Sequence, residues 1–242
     1  MKQTWKECMS LPKTLQTGFC CLVAVATLVY LRIFGGELFD YFYCLATIPF
    51  VCLPAILSVL FHWNFNLIAY SVFTFYAMGP IIGAVYDVYY MVPWWDDLLH
   101  TLAGVIFAIC GTYLIHAVNR GNKSTVLLNA IFGLMVSISI AVIWEIFEFS
   151  SDMLLGSDMQ ADTIISTITT KIGRTDGGVT VFENIKEVSV DGTSLGLGGY
   201  LDIGLVDTMQ DMIVETLGAL VYFIYAVIDK ERHPFISIVE KH

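Results

Sequence analysis

Apolar residues dominate six runs of the chain, and polar residues collect in the short gaps between them. The runs extend from Thr17 to Phe34, Leu38 to Phe61, Asn66 to Tyr89, Trp94 to Val118, Thr125 to Phe149 and Leu205 to Ile228. A helix that spans a bilayer needs roughly 20 mainly apolar residues, so each run predicts one span. Gly79-Pro80 predicts a kink late in the third, because proline removes a backbone donor and crowds the preceding turn. The interval Ser150–Gly204 breaks the pattern. Its Gly, Ser, Thr and Asp residues are too closely spaced for a span, and Asp176-Gly177-Gly178 and Asp191-Gly192 mark turns. Between these turns Val179 to Val190 alternates weakly and predicts a short hairpin. Met159 to Ile172 reads as an amphipathic segment lying on the surface. The expected architecture is all-α: one polytopic membrane domain over residues 1–242, with 150–204 inserted before the last helix as an external loop or small cap.

Composition agrees. Of 242 residues, 57% are hydrophobic and 14% charged, with a mean hydropathy of +0.72. Soluble domains carry about 25% charged residues. A net charge of −10 gives no basis for nucleic-acid binding. The first run is followed by no small-residue cleavage site and is expected to be retained as a helix. Five of the six cysteines lie inside apolar runs, and no paired spacing occurs, so all six are expected to serve packing.

Basic residues set the orientation. Lys2, Lys6 and Lys13 precede the first span, Arg120 and Lys123 join the fourth to the fifth, and Lys230, Arg232 and Lys241 follow the sixth. These make eight of the twelve on one side of the membrane. Basic connections favour the cytoplasm, which predicts a plasma membrane protein with both termini inside. Trp5 and Trp63 then fall at the inner interface, and Tyr86, Tyr89, Tyr90, Trp94 and Trp95 at the outer one.

With this topology, acids from four helix ends share the outer face. The third span ends at Asp87, and the fourth opens with Asp96, Asp97 and His100. The fifth ends with Glu145, Glu148 and Asp152, and the sixth opens with Asp207, Asp211 and Glu215. Residues three or four apart share a helix face. His100 is therefore a neighbour of both Asp96 and Asp97, and the other two groups form stripes. Gathered carboxylates in a low dielectric must be neutralised by protons or by a cation. Oxygen ligands with one imidazole suit Mn, Fe, Zn, Mg or Ca. Asp96 and Asp207 also suit a solvated first helical turn, and Asp87 and Asp152 suit ordinary interfacial acids. There is no glycine-rich phosphate loop, no H-E-x-x-H and no G-x-S-x-G.

Asp97-x-x-His100 with Ala103-Gly104, then Glu145-x-x-Glu148, then Asp207-Thr208-Met209-Gln210-Asp211-Met212 and Gly218-Ala219-Leu220 resembles the YjdF-like inner-membrane family of bacteria. The pattern is more distantly similar to VanZ-like membrane proteins. The resemblance covers Trp94 to Tyr225 in pieces and implies the polytopic fold and the grouping of these acids with His100. It implies no reaction.

The expected function is a metal-dependent membrane hydrolase acting on a lipid or envelope molecule. Asp97, His100, Glu148, Asp207 and Asp211 would hold a divalent ion, and Glu145 would act as general base or orienter. Membrane lipids are the expected partners. A cation transporter or channel is the alternative and needs a polar route inward, for which the inner helix halves offer chiefly Thr112, His116 and Asn129. A non-catalytic membrane scaffold is the third reading.

Overall fold

The computed structural model describes residues 8–119, 124–172, 175–230, 232 and 234–238. Among them are six helices long and apolar enough to cross a membrane. They are α1 (Leu11–Phe34), α2 (Leu38–Phe61), α3 (Leu67–Pro80) extended by a π-helical turn (Ile81–Val85), α5 (Trp95–Val118), α6 (Val126–Leu155) and α7 (Leu205–Asp229). A one-turn helix, α4 (Val88–Met91), joins the third and fourth. The chain forms two compact units, 1–141 with 213–242, and 142–212.

Local sequence explains the helix ends in the first unit. Ser10 and Pro12 start α1, and Gly35 stops it at φ 90°, where a side chain would be strained. Glu37 and Asp40 cap α2 reciprocally, with the Glu37 amide donating to Asp40 Oδ2 at 2.8 Å. The Asn66 side chain accepts the Ala69 amide at 2.8 Å and begins α3. The expected kink after Gly79-Pro80 is realised as the π turn, which the Tyr86 amide closes on the Ile81 carbonyl at 3.1 Å. Phe19, Leu22 and Ile33 of α1 are about two-thirds exposed, at 66%, 66% and 68%. Such an apolar outer surface suits hydrocarbon rather than water.

Helix packing in this unit rests on glycine. A Cβ on Gly104 of α5 would collide with the Glu215 carbonyl and approach the Ala219 amide of α7 to 2.9 Å. One on Gly218 of α7 would collide with the Thr101 carbonyl of α5. Farther along α5, Gly111 lies against Gly133 and Val136 of α6, and Gly133 lies against the Ala108 carbonyl. Apolar side chains gain little from leaving lipid, so close backbone approach and the dispersion contacts it allows hold spans together. The buried Ser137 hydroxyl adds a hydrogen bond to the Gly104 carbonyl, 3.1 Å away.

Two polar fastenings tie both chain ends to the connection between α2 and α3. Strand β1 (Trp63–Phe65) pairs antiparallel with β8 (Ile236–Ile238), Trp63 facing Ile238 and Phe65 facing Ile236. Buried Lys13 donates to the Cys8 carbonyl at 3.0 Å and to Asn64 Oδ1 at 2.8 Å, and lies over the Tyr70 ring. Strand pairing at a bundle end had no hydropathy signal, because both strands are three residues long.

Two aromatic expectations are corrected. Trp63 is only 2% exposed, stacks on Phe61 and meets Phe65 and Tyr113 edge-on, so it is core rather than an interfacial anchor. Trp95 is likewise buried, against Phe75. Trp94, Tyr86, Tyr89 and Tyr90 are exposed, as belt residues should be. Trp5 lies outside the described residues. The six cysteines are all unbridged.

In the second unit, residues 156–204 form short paired strands rather than a helix. Strand β2 (Thr163–Ile165) pairs with β7 (Tyr200–Asp202), β3 (Ile168–Thr170) with β4 (Thr180–Phe182), and β5 (Ser189–Val190) with β6 (Thr193–Ser194), all antiparallel. The amphipathic surface segment expected over 159–172 is thus replaced by β2 and β3. Their Thr-Ile-Ile and Ile-Thr-Thr sequences favour extended backbone through β-branching. The hairpin expected within 179–190 forms differently. Asp176-Gly177-Gly178 joins β3 to β4, and Asp191-Gly192 joins β5 to β6 with positive φ at both residues (51° and 80°), a two-residue turn matched to strand twist.

Replacing Gly104 with valine should force α5 and α7 apart and lower stability by about 1–3 kcal/mol, the usual range for overpacking. Gly18→Ala, where nothing lies within 4 Å of the added atom, should leave stability unchanged or slightly raised. Thermal unfolding of the detergent-purified variants measures both.

Candidate metal centre

Two groups of buried polar side chains occupy the helix ends. The first belongs to the unit formed by 1–141 and 213–242. His100 lies one turn into α5 from Asp96, and the Gly104 crossing brings Glu215 of α7 to the same place. His100 Nε2 stands 3.8 Å from Asp96 Oδ1, and Nδ1 stands 3.7 Å from Glu215 Oε2. Both separations exceed a hydrogen bond and lie within ion-pair range. His100 and Glu215 are buried and Asp96 is half-buried. Glu215 is 2% exposed, and its Oε1 receives no hydrogen bond. Leaving such an oxygen dry is costly, so its surroundings call for a positive charge, carried by imidazolium or by a bound cation. Asp97, on the same turn as Asp96, is half-buried and has interactions of its own.

The second group belongs to unit 142–212. Glu145, Glu148 and Asp211 are all buried, and one oxygen from each lies within 4.8 Å of the others. Glu145 and Glu148 share a face of α6 through their spacing of three, and Asp211 stands on α7. Oxygens bound to one ion at 2.1–2.5 Å lie about 3–5 Å apart, so the spacing fits a shared hard cation. The Trp144 indole N–H donates to Glu148 Oε1 at 2.8 Å, one helical turn away. Such outer donors fix the orientation of ligating carboxylates.

The remaining acids are engaged elsewhere. Asp152 accepts the Ser157 hydroxyl at 2.7 Å and the Met159 and Gln160 amides at 2.7 and 2.9 Å, fastening the exit from α6. Asp207 Oδ2 accepts the Ala161 amide at 2.8 Å and ties the start of α7 to the same loop. Gln160 adds a hydrogen bond to Thr208. Asp87 is exposed in a turn at φ 59°. In the loop, burial together with nearby Asp162 and Asp152 pushes the Asp158 carboxyl up.

Of the expected site residues, Glu145, Glu148 and Asp211 come together, and His100 joins Asp96 and Glu215. Asp207 lies against loop backbone. The expected ligand set did not include Glu215, although it lies one turn beyond Asp211 on the same stripe. Trp144 also went unnoticed; its signal was an indole four residues before a membrane carboxylate. The polar residues expected to extend an inward route make short-range contacts: Thr112 bonds the Ala108 carbonyl at 2.9 Å, and Ser124 bonds Asn129 at 2.5 Å. The His116 side chain lies outside the described residues.

Six apolar spans and acids buried at their ends define a polytopic membrane protein. The chain belongs to the family of predicted membrane proteins DUF2238, whose model matches residues 16–232. No curated protein and no solved structure matches it.

Asp152→Ala removes the acceptor of three hydrogen bonds, each worth about 1 kcal/mol. Limited proteolysis should cut 153–162 faster in that variant while metal content stays at the wild-type level. Asp158→Asn should slow cleavage of the same loop at pH 7. A raised folded-state pKa makes the charged form the destabilising one, so the wild-type loop loses stability as pH rises through that pKa. Below pH 4 the two proteins should be cut at similar rates.

Proposed function

We propose that this protein is a divalent-cation-dependent hydrolase of the bacterial plasma membrane, acting on a lipid or another envelope molecule. The observation that carries the reading is the buried trio Glu145, Glu148 and Asp211, with an oxygen of each within 4.8 Å of the others. Three carboxylates that close repel strongly unless protonated or bridged by a cation. An all-oxygen set favours Mg, Mn or Ca over softer metals.

A bound divalent ion supplies Lewis acidity and lowers the pKa of its water. Glu148, held by the Trp144 N–H, presents an oxygen in fixed orientation. Glu145 accepts the proton released from the attacking water and returns it to the leaving group. Glu145 and Glu148 lie two to three turns before the end of α6, and Asp211 less than two turns into α7. Anchorage of both chain ends to the α2–α3 connection supports termini on one side, which the basic connections assign to the cytoplasm.

Metal analysis of protein purified without chelator, dialysed and reloaded with Mn²⁺, tests the centre. Wild type should retain about one ion per chain, and excess ion should raise its stability by about 2.7 kcal/mol at a hundredfold over Kd. Asp211→Ala and Glu148→Ala should bind none and lose that increment. Metal-free wild type after reloading overturns the proposal. Glu145→Gln, which keeps one oxygen for the ion but removes the base, should bind it more weakly and, at saturating Mn²⁺, slow hydrolysis of an envelope lipid extract by roughly 10²–10⁴-fold, the usual weight of a general base.

A further inference from the structure

Two thiols meet between spans of the first unit. Cys21 of α1 and Cys52 of α2 bring their sulfurs to 3.9 Å, close enough for one thiol to donate to the other. Both are half-buried. Cys21 packs, with Cys20 and Val23, against a cluster of Val51 from α2 and Ala77 and Met78 from α3, so the pair stands where three helices join. One turn before Cys21, the Thr17 and Tyr70 hydroxyls share a hydrogen bond of 2.6 Å that holds α1 to α3. Phe19 and Leu22, flanking this part of α1, are exposed and face hydrocarbon in a bilayer.

Depth decides which chemistry is open to the pair. Cys21 lies ten residues beyond Leu11, where α1 starts, and Cys52 lies nine before Phe61, where α2 ends. At 1.5 Å per residue both thiols are about 14–15 Å from the same end of the α1–α2 hairpin. That is the middle of a hydrocarbon core roughly 30 Å thick. Charge is costly there, so charged, water-borne redox partners such as glutathione are kept away. A neutral oxidant dissolved in the bilayer is not. Bond formation asks little of the helices: the sulfurs must close from 3.9 Å by about 2 Å, a distance that side-chain rotation at the two residues supplies.

We propose that Cys21 and Cys52 are a redox-active thiol pair that a membrane-soluble quinone oxidises to a disulfide joining α1 to α2. Two S–H bonds break and one S–S bond forms. The two electrons and two protons pass to the quinone, whose carbonyl oxygens become the hydroxyls of the quinol. Electrons and protons move together, so no ion is left in hydrocarbon. The disulfide fixes α1, the least buried of the six spans, against α2. This site does not rest on the carboxylate trio.

The test uses full-length protein, reduced, reconstituted into phosphatidylcholine nanodiscs and mixed without oxygen with decylubiquinone. Wild type should convert about one equivalent of quinone per chain to quinol, lose two hydrogens in intact mass and yield a peptide linking Cys21 to Cys52. Cys21→Ala and Cys52→Ala should each abolish quinone consumption and the link, whereas Cys44→Ala and Cys110→Ala should preserve both. Oxidised glutathione in place of the quinone should leave wild type reduced. Quinone left unchanged by wild type overturns the proposal, as does consumption that persists in both alanine variants. Oxidation by glutathione at the quinone's rate also overturns it. Should one alanine variant fail to fold, the other and the wild-type peptide map decide.

Discussion

The contact on which the first unit depends is the crossing of α5 and α7 at Gly104 and Gly218. Each glycine meets a carbonyl of the other helix, at Glu215 and Thr101, and neither approach leaves room for a Cβ. In a membrane protein this closeness replaces the hydrophobic effect as the reason two helices stay together. It also determines chemistry. Glu215 supplies the carbonyl that touches Gly104, and its carboxylate consequently reaches His100, one turn earlier on α5. A helix contact made by small residues thus sets a buried acid 3.7 Å from a buried imidazole.

Acids in this chain do two kinds of work, separated by what surrounds them. Asp40, Asp152 and Asp207 take backbone amides and behave as caps and loop fasteners. Their charge is answered by N–H dipoles, the stable way to hold a carboxylate at a helix end. Glu145, Glu148 and Asp211 instead bring buried oxygens within 4.8 Å of one another, and the Trp144 indole donates to Glu148. Aggregated negative charge of this kind is expensive in a low dielectric. The closeness of three buried carboxylates, rather than the number of acids, gives the trio its functional weight.

The hydropathy pattern determined the number, order and approximate limits of the six spans, because a run long enough to cross hydrocarbon has little other use. It also located the acids at helix ends, the Asp-Gly turns of the loop and the break after Gly79-Pro80. Period and spacing showed that Glu145 and Glu148 share a face, and that Asp211 and Glu215 do too.

Only the tertiary structure decided which acids meet which partners. Spacing along one helix offers His100 both Asp96 and Asp97, and cannot show that Glu215 arrives from α7. That depends on two glycines whose role is visible only when the helices cross. Nor does spacing distinguish Asp207 from Asp211, four residues apart on one stripe; the Ala161 amide, brought near by the loop, makes the difference. The three-residue strands β1 and β8 lie 171 positions apart by their facing ends (Phe65 and Ile236) and have no periodicity to read. Their pairing, like the burial of Trp63, comes from contacts between distant segments, which a linear pattern does not encode.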